Sequence, residues 1–333
     1  MKIIVPMAGR GSRLRPHTLT IPKPLIPVAG KPIVQWLVED IVKVCGKKVD
    51  EIAFVIGDFG KEVEESLVKV AEELGAKGSI YYQDEPLGTA HAILCAKDSL
   101  EGNCVVAFAD TLFKADFTLD SSRDGIIWVN QIDDPSAFGV VKLNEENIIT
   151  DFVEKPATFI SDLAIIGIYY FNNGEYLRSE LQYLLDNNIK DKGEFQLTNA
   201  LENMKNKGTK FSPGKVEEWL DCGNKDATIY TNERVLEYNG NLINDSVQII
   251  NSEVIPPCFI GANTIIKNAK IGPHVSLGSN TVVKNSVINK TIIQNDSMIT
   301  NAKLSNSMIG NHVNFDGKNI QQEVSIGDFS EVK

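Results

Sequence analysis

Residues 260–309 read IGANTIIKNAKIGPHVSLGSNTVVKNSVINKTIIQNDSMITNAKLSNSMI, and an aliphatic residue returns at every fifth or sixth position. Extended both ways, the series is Ile243, Ile249, Ile255, Ile260, Ile266, Ile271, Leu277, Val283, Ile288, Ile293, Ile299, Leu304, Ile309, Phe315, Ile320 and Ile326. All sixteen are apolar and twelve are isoleucine. Taken three at a time from Ile243 to Ile326, the spacing is 17, 17, 16, 16 and 17 residues. Such a period predicts a chain that coils with three short strands per turn, each strand turning one apolar side chain inward. Fifteen asparagines lie between 239 and 319, many near the expected corners. Asparagine tolerates the left-handed backbone that tight corners require. Residues 239–333 are expected to form a β-helix of about five coils, whose handedness the pattern does not fix.

Residues 1–238 follow a different rule. Short apolar runs, among them Ile3–Val5, Ile52–Ile56, Ile80–Tyr82, Val105–Phe108, Ile126–Val129 and Ile165–Phe171, read as strands. Between them Pro32–Val44, Lys61–Leu74 and Thr89–Ala96 carry apolar residues at helical spacing. The alternation predicts an α/β domain with helices on a mostly parallel sheet. A last helix from about Asn224 to Tyr238 leads out of it.

Charge is unevenly placed. The chain carries a net charge of −11, yet residues 1–32 hold Lys2, Arg10, Arg13, Arg15, Lys23 and Lys31 and no acidic residue. These cations surround a turn, Ala8-Gly9-Arg10-Gly11-Ser12-Arg13. Glycines permit tight turns and expose backbone N–H groups, so the stretch is a candidate cradle for a phosphate chain. A pI near 5.0 argues against a nucleic-acid coat or a membrane-surface protein. No apolar stretch approaches the roughly 18 residues of a membrane span, and the first residues lack a signal-peptide pattern. Cys45, Cys95, Cys104, Cys222 and Cys258 are scattered, with no Cys-x-x-Cys pair. That usage fits reduced thiols in a cytoplasmic protein better than disulfides or zinc.

Gly9-Arg10-Gly11-Ser12-Arg13-Leu14-Arg15-Pro16, Lys23-Pro24-Leu25 and Lys31-Pro32 together resemble the signature of the sugar-1-phosphate nucleotidylyltransferases. The likeness covers essentially the whole chain and is strongest to the longer glucose-1-phosphate thymidylyltransferases that end in a left-handed hexapeptide-repeat β-helix. It implies a Rossmann-like catalytic domain over residues 1–238 and a β-helix over 239–333. It also implies condensation of dTTP or UTP with a sugar 1-phosphate, glucose 1-phosphate first, releasing pyrophosphate. Ala8 and Ser12 depart from the usual glycine and threonine but keep small side chains.

The resemblance also implies roles. Arg13 and Lys23 match the catalytic cations, with Ala8, Gly9, Gly11 and Ser12 forming the phosphate turn. Gln83, Gly88 and Thr89 match the base-binding stretch Gln83-Asp84-Glu85-Pro86-Leu87-Gly88-Thr89-Ala90. Gly139, Glu154, Lys155, Gly167 and Trp219 match the sugar-phosphate contacts. Asp110, at the end of an apolar run, and Asp221, in Trp219-Leu220-Asp221-Cys222-Gly223, match the Mg²⁺ ligands. Each has a plainer reading beside it: a solvated arginine, a surface Glu–Lys pair, aspartates that cap the next element. Gly193-Glu194-Phe195-Gln196-Leu197-Thr198 also matches a family segment, with its role open. The likeness implies a homo-oligomer, with no nucleic-acid or membrane partner. Two alternatives stand: an added acetyltransferase activity in the β-helix, for which His274 and His312 are candidates, and a non-catalytic regulatory homologue. His17 and His91 receive no chemical role, and Trp36 and Trp128 read as packing residues.

Overall fold

Ile3, Ile4 and Val5 are wholly buried, and the strand they form is the middle of the main sheet. A computed structural model describes residues 1–333 apart from Arg10 and Phe117. By its contacts the chain forms two units, one of residues 1–9 and 37–219, the other of residues 10–36 and 220–333.

The first unit is built on β1 (Lys2–Pro6), α1 (Ile33–Cys45), β2 (Glu51–Ile56), α2 (Lys61–Glu73), β3 (Lys77–Tyr82), α3 (Thr89–Cys95) and β4 (Cys104–Ala107). It continues with β5 (Thr111–Lys114), β6 (Gly125–Gln131), β7 (Gly139–Leu143), β8 (Ile149–Glu154), β9 (Leu163–Phe171), α4 (Gly174–Asp186), α5 (Leu197–Asn206) and β10 (Phe211–Lys215). Helix α1 begins in the second unit and ends in the first. The main sheet has nine strands, in the order β8-β7-β9-β4-β1-β2-β3, with β6 beside β9 and β10 beside β6. Strands β4, β1, β2 and β3 run parallel, while β9 is antiparallel to β4, β6 and β7. All six residues of β2 are buried, as expected of a parallel strand covered on both faces. The predicted runs appear as strands and helices with ends shifted by a few residues.

The second unit contains α6 (Lys225–Asn239) and the coil. Its strands form three parallel sheets, of six, six and five strands, consistent with a left-handed β-helix. The ladder pairs in register: Ile260 with Leu277, Leu277 with Ile293, Ile293 with Ile309. From Ile260 to Phe315 these side chains are sealed from solvent.

Two of the sixteen expected positions are wrong. Val254, not Ile255, pairs with Ile271. Gln322, not Ile320, pairs with Leu304, and Ile320 sits exposed at the end of a longer turn closed by its own N–H on Gly317 O. The corners behave as expected: Asn251, Asn263, Asn268, Asn280, Asn285, Asn301, Asn306 and Asn319 all have positive φ. Successive corners are stitched, Asn268 to Asn285 to Asn301 to Asp316, by side-chain hydrogen bonds of 3.2–3.4 Å.

Residues 11–36 lie along this coil. The buried Asn232 of α6 accepts from Ala29 N at 2.9 Å and from the Ser276 hydroxyl at 2.6 Å. Gly30 packs so closely on the Phe259 ring that no side chain fits there. Further along, a Cβ on Gly327 would lie 2.9 Å from Pro16. Thr20 donates to Asp328 at 2.6 Å, and His17 Nε2 lies 3.1 Å from Ser325 Oγ. Trp36 is buried, donating to Val28 O under the Lys31 ammonium. Trp128 is buried in the first unit.

Candidate active site

In the first unit, site residues follow the C-terminal ends of neighbouring parallel strands, where ligands collect in α/β sheets. Ala8 and Gly9 follow β1, Gln83 follows β3, and Asp110 follows β4. A Cβ on Gly9 would meet nothing within 4 Å, so its backbone stands open to a ligand. Asp110 is half-buried. The segment before it is pinned by Phe108 N on Gly167 O at 2.9 Å. Gly167 has φ +85° and lies where the β6–β9 register shifts.

The sugar-phosphate candidates gather around the same edge. Gly139 pairs with Glu154 across β7 and β8, and a Cβ there would lie 3.2 Å from Glu154 Oε2. Burial raises the proton affinity of the Glu154 carboxyl above the ordinary range, against the pull of the Lys155 and Lys192 ammonium groups. Lys155 Nζ is 3.7 Å from Glu154, and the Lys155 backbone, at φ +42°, is held by its N–H on Phe138 O. Phe138 meets Trp219 edge to face at 4.8 Å. The Trp219 indole donates to Thr111 Oγ1 at 2.9 Å, one residue past Asp110.

The base-binding candidates form a second cluster. Gln83 Nε2 lies 3.2 Å from Gly88 O and 3.1 Å from His91 Nδ1. Gly88 has φ +117°, and a Cβ there would come within 2.5 Å of Phe195 O. Thr89 accepts from Leu197 N at 2.9 Å and donates to Gln196 at 3.1 Å. The segment 193–198, whose role the sequence leaves open, is thus the wall on which the candidate base loop rests.

In the second unit, Gly11 has φ +59°, and a Cβ there would lie 2.8 Å from the Lys23 Cβ. The loop closes through Thr18 on Gly11 O at 2.8 Å. Ser12 and Arg13 are exposed on a short 3₁₀ turn, Ser12–Leu14, whose Leu14 is buried. Lys23 is largely buried. Arg10, the remaining cation of the turn, lies outside the described residues. Asp221 is half-buried; a Cβ on Gly223 would come within 2.8 Å of its carboxylate, so glycine leaves that carboxylate room.

The coil histidines are engaged elsewhere. His274 lies 3.5 Å from Glu233 and 3.2 Å from Glu237. The same carboxylates also pair with Lys290 of the coil and with Arg234 of α6. His312 stacks on Phe329 at 4.9 Å.

The chain belongs to the nucleotidyl transferase family, whose model matches residues 2–238. Among its relatives, a glucose-1-phosphate thymidylyltransferase of Streptomyces griseus is 28% identical over 338 residues, 94% of this chain and 93% of that protein. The bifunctional protein GlmU of Methanococcus maripaludis is 29% identical over 271 residues, 80% of this chain and 60% of that protein. The chain spans between about half and two thirds of the length of the first curated relatives it matches. A crystal structure of a UDP-glucose pyrophosphorylase complexed with UDP-glucose shares the fold, with a TM-score of 0.59 and 24% identity over 71% of this chain and 98% of that one. Among the described residues no helix is long and apolar enough to cross a membrane.

Proposed function

We propose that this chain is a Mg²⁺-dependent sugar-1-phosphate nucleotidylyltransferase that joins dTTP or UTP to glucose 1-phosphate and releases pyrophosphate. The observation that carries the reading is the placement of Gly9, Gln83 and Asp110 after parallel strands of one sheet, with Glu154, Lys155 and Trp219 packed at that edge. Catalysis would reside in residues 1–238, with 239–333 as a coil that supports the chain and its self-assembly.

The reaction brings two anions into line, so charge neutralisation and orientation supply most of the acceleration. The sugar-phosphate oxygen attacks the α-phosphorus as the bond to pyrophosphate breaks. Arg13 would stabilise the departing pyrophosphate, and Lys23 the phosphoryl group in transfer. Lys155 would hold the 1-phosphate. The half-buried Glu154 carboxylate would accept sugar hydroxyls that replace its lost water. Open backbone at Gly9 would approach the phosphates without a side chain between. Carboxylates are the donors a hard divalent ion takes, and Asp110 and Asp221 would supply them; Gly223 leaves the Asp221 carboxylate room. When bound there, Mg²⁺ would offset negative charge on the phosphate oxygens.

Pyrophosphate release measured across a grid of nucleoside triphosphates and sugar 1-phosphates tests this directly. The expected result is turnover with dTTP or UTP and glucose 1-phosphate, lost on chelation of the metal. Turnover with no sugar 1-phosphate in the grid would overturn it.

A further inference from the structure

We infer that His91 determines base selectivity by locking the Gln83 amide, so that the site admits only bases with an N–H at the centre of their pairing edge. The inference rests on the reading that Gln83 faces the base. Gly88 O lies 3.2 Å from Gln83 Nε2, and a carbonyl oxygen only accepts. The amide nitrogen therefore occupies that end; flipping the amide would set two acceptor oxygens against each other. The same nitrogen lies 3.1 Å from His91 Nδ1. An amide NH₂ only donates, so Nδ1 is the acceptor and the His91 proton sits on Nε2. Both amide hydrogens are then committed, and Gln83 offers a ligand its Oε1 alone.

The pin is itself held. Gly88 O also accepts from Ala92 N at 3.0 Å in the first turn of α3, and contact with Phe195 excludes a side chain at Gly88. His91 sits on the same short helix. A base that meets an acceptor-only amide must bring a donor. Thymine and uracil do so with N3–H, and guanine with N1–H. Cytosine N3 and adenine N1 present lone pairs, which would face Oε1 unpaired. A site built around one hydrogen bond rejects the ligand that lacks it far more strongly than a change of shape would.

Two pyrimidines of nearly equal size isolate the effect. The nucleotide KM and kcat are measured for dTTP and dCTP with glucose 1-phosphate, in wild type and in His91→Leu, His91→Asn and Gln83→Ala. Wild type should favour dTTP by roughly a hundredfold or more in kcat/KM. His91→Leu should shrink that ratio about tenfold through the nucleotide KM, with the glucose 1-phosphate KM unchanged. His91→Asn, whose side-chain oxygen can take the place of Nδ1, should restore most of it. Calorimetric titration with dTTP and dCTP gives the same comparison without turnover, and His91→Ala repeats it if leucine disturbs the helix. An unchanged ratio in His91→Leu, with a changed ratio in Gln83→Ala, would overturn the lock. An unchanged ratio in both would instead remove Gln83 from the base site, and the lock with it.

Discussion

Arg13 stands on one turn of 3₁₀ helix, Ser12–Leu14, with its side chain exposed and Leu14 anchoring the turn from below. Its guanidinium contributes little to packing, which separates the catalytic part proposed for it from any structural one. Arg13→Ala is expected to lower kcat by roughly a hundredfold or more, the size of effect seen when a preorganised donor to developing charge is removed. The thermal midpoint should stay within a degree or two of wild type. Pyrophosphate release and a melting curve on the same preparation check both halves. Near-normal turnover would remove Arg13 from the mechanism. Lys23 offers no such clean test, because its buried stem packs beside Gly11 and helps shape the loop.

At the scale of elements, the coil is a stack whose stability comes from neighbour-on-neighbour contact. Ile288 is wholly buried and lies in register between Ile271 and Leu304. A lone carboxylate there would lose its water and gain no partner, at a cost of several kcal/mol. Ile288→Asp should therefore abolish cooperative unfolding of the coil. Ile243→Asp, in the first coil where the side chain is 37% exposed, should be nearly silent. Calorimetry of the two variants decides, and equal melting curves would refute the inward assignment. This ladder was legible because one residue type recurs at one period. It misled only at Ile255 and Ile320, where a local turn displaces the inward position by a residue or two. The first unit was less legible at its margins. Phe211–Lys215 packs serine, proline and glycine into five residues, so no alternation marks it as a strand, yet it pairs along β6. Motifs local in sequence gave Gln83, Gly88, Asp110 and Glu154 as candidates. The hold of Gln196 on Thr89 spans 107 residues and leaves no local trace.

At the scale of the whole molecule, residues 10–36 cluster with the coil at the far end of the chain. His17 shows the consequence. It is 1% exposed, and Nε2 lies against Ser325, 308 residues away. Burial pushes its pKa down from 6.5 to about 4; the Lys225 ammonium also opposes its charging, while Asp328 favours it. In the unfolded chain the ring takes up a proton near pH 6.5 that the folded chain refuses until about pH 4. Protons thus bind the unfolded state preferentially within that window. The contribution is fully present above pH 6.5 and is lost as the pH falls toward 4. Lowering the pH from 7 to 5 should remove on the order of 2 kcal/mol through this one group. Carboxylates contribute their own slope, so the measurement is a difference: urea midpoints at several pH values for wild type and for His17→Gln. The variant should lose less stability than wild type between pH 7 and 5, because a neutral amide has no proton to gain. Parallel slopes would mean that His17 titrates normally and that the contact between the signature loop and the last coil is looser than the 3.1 Å separation indicates.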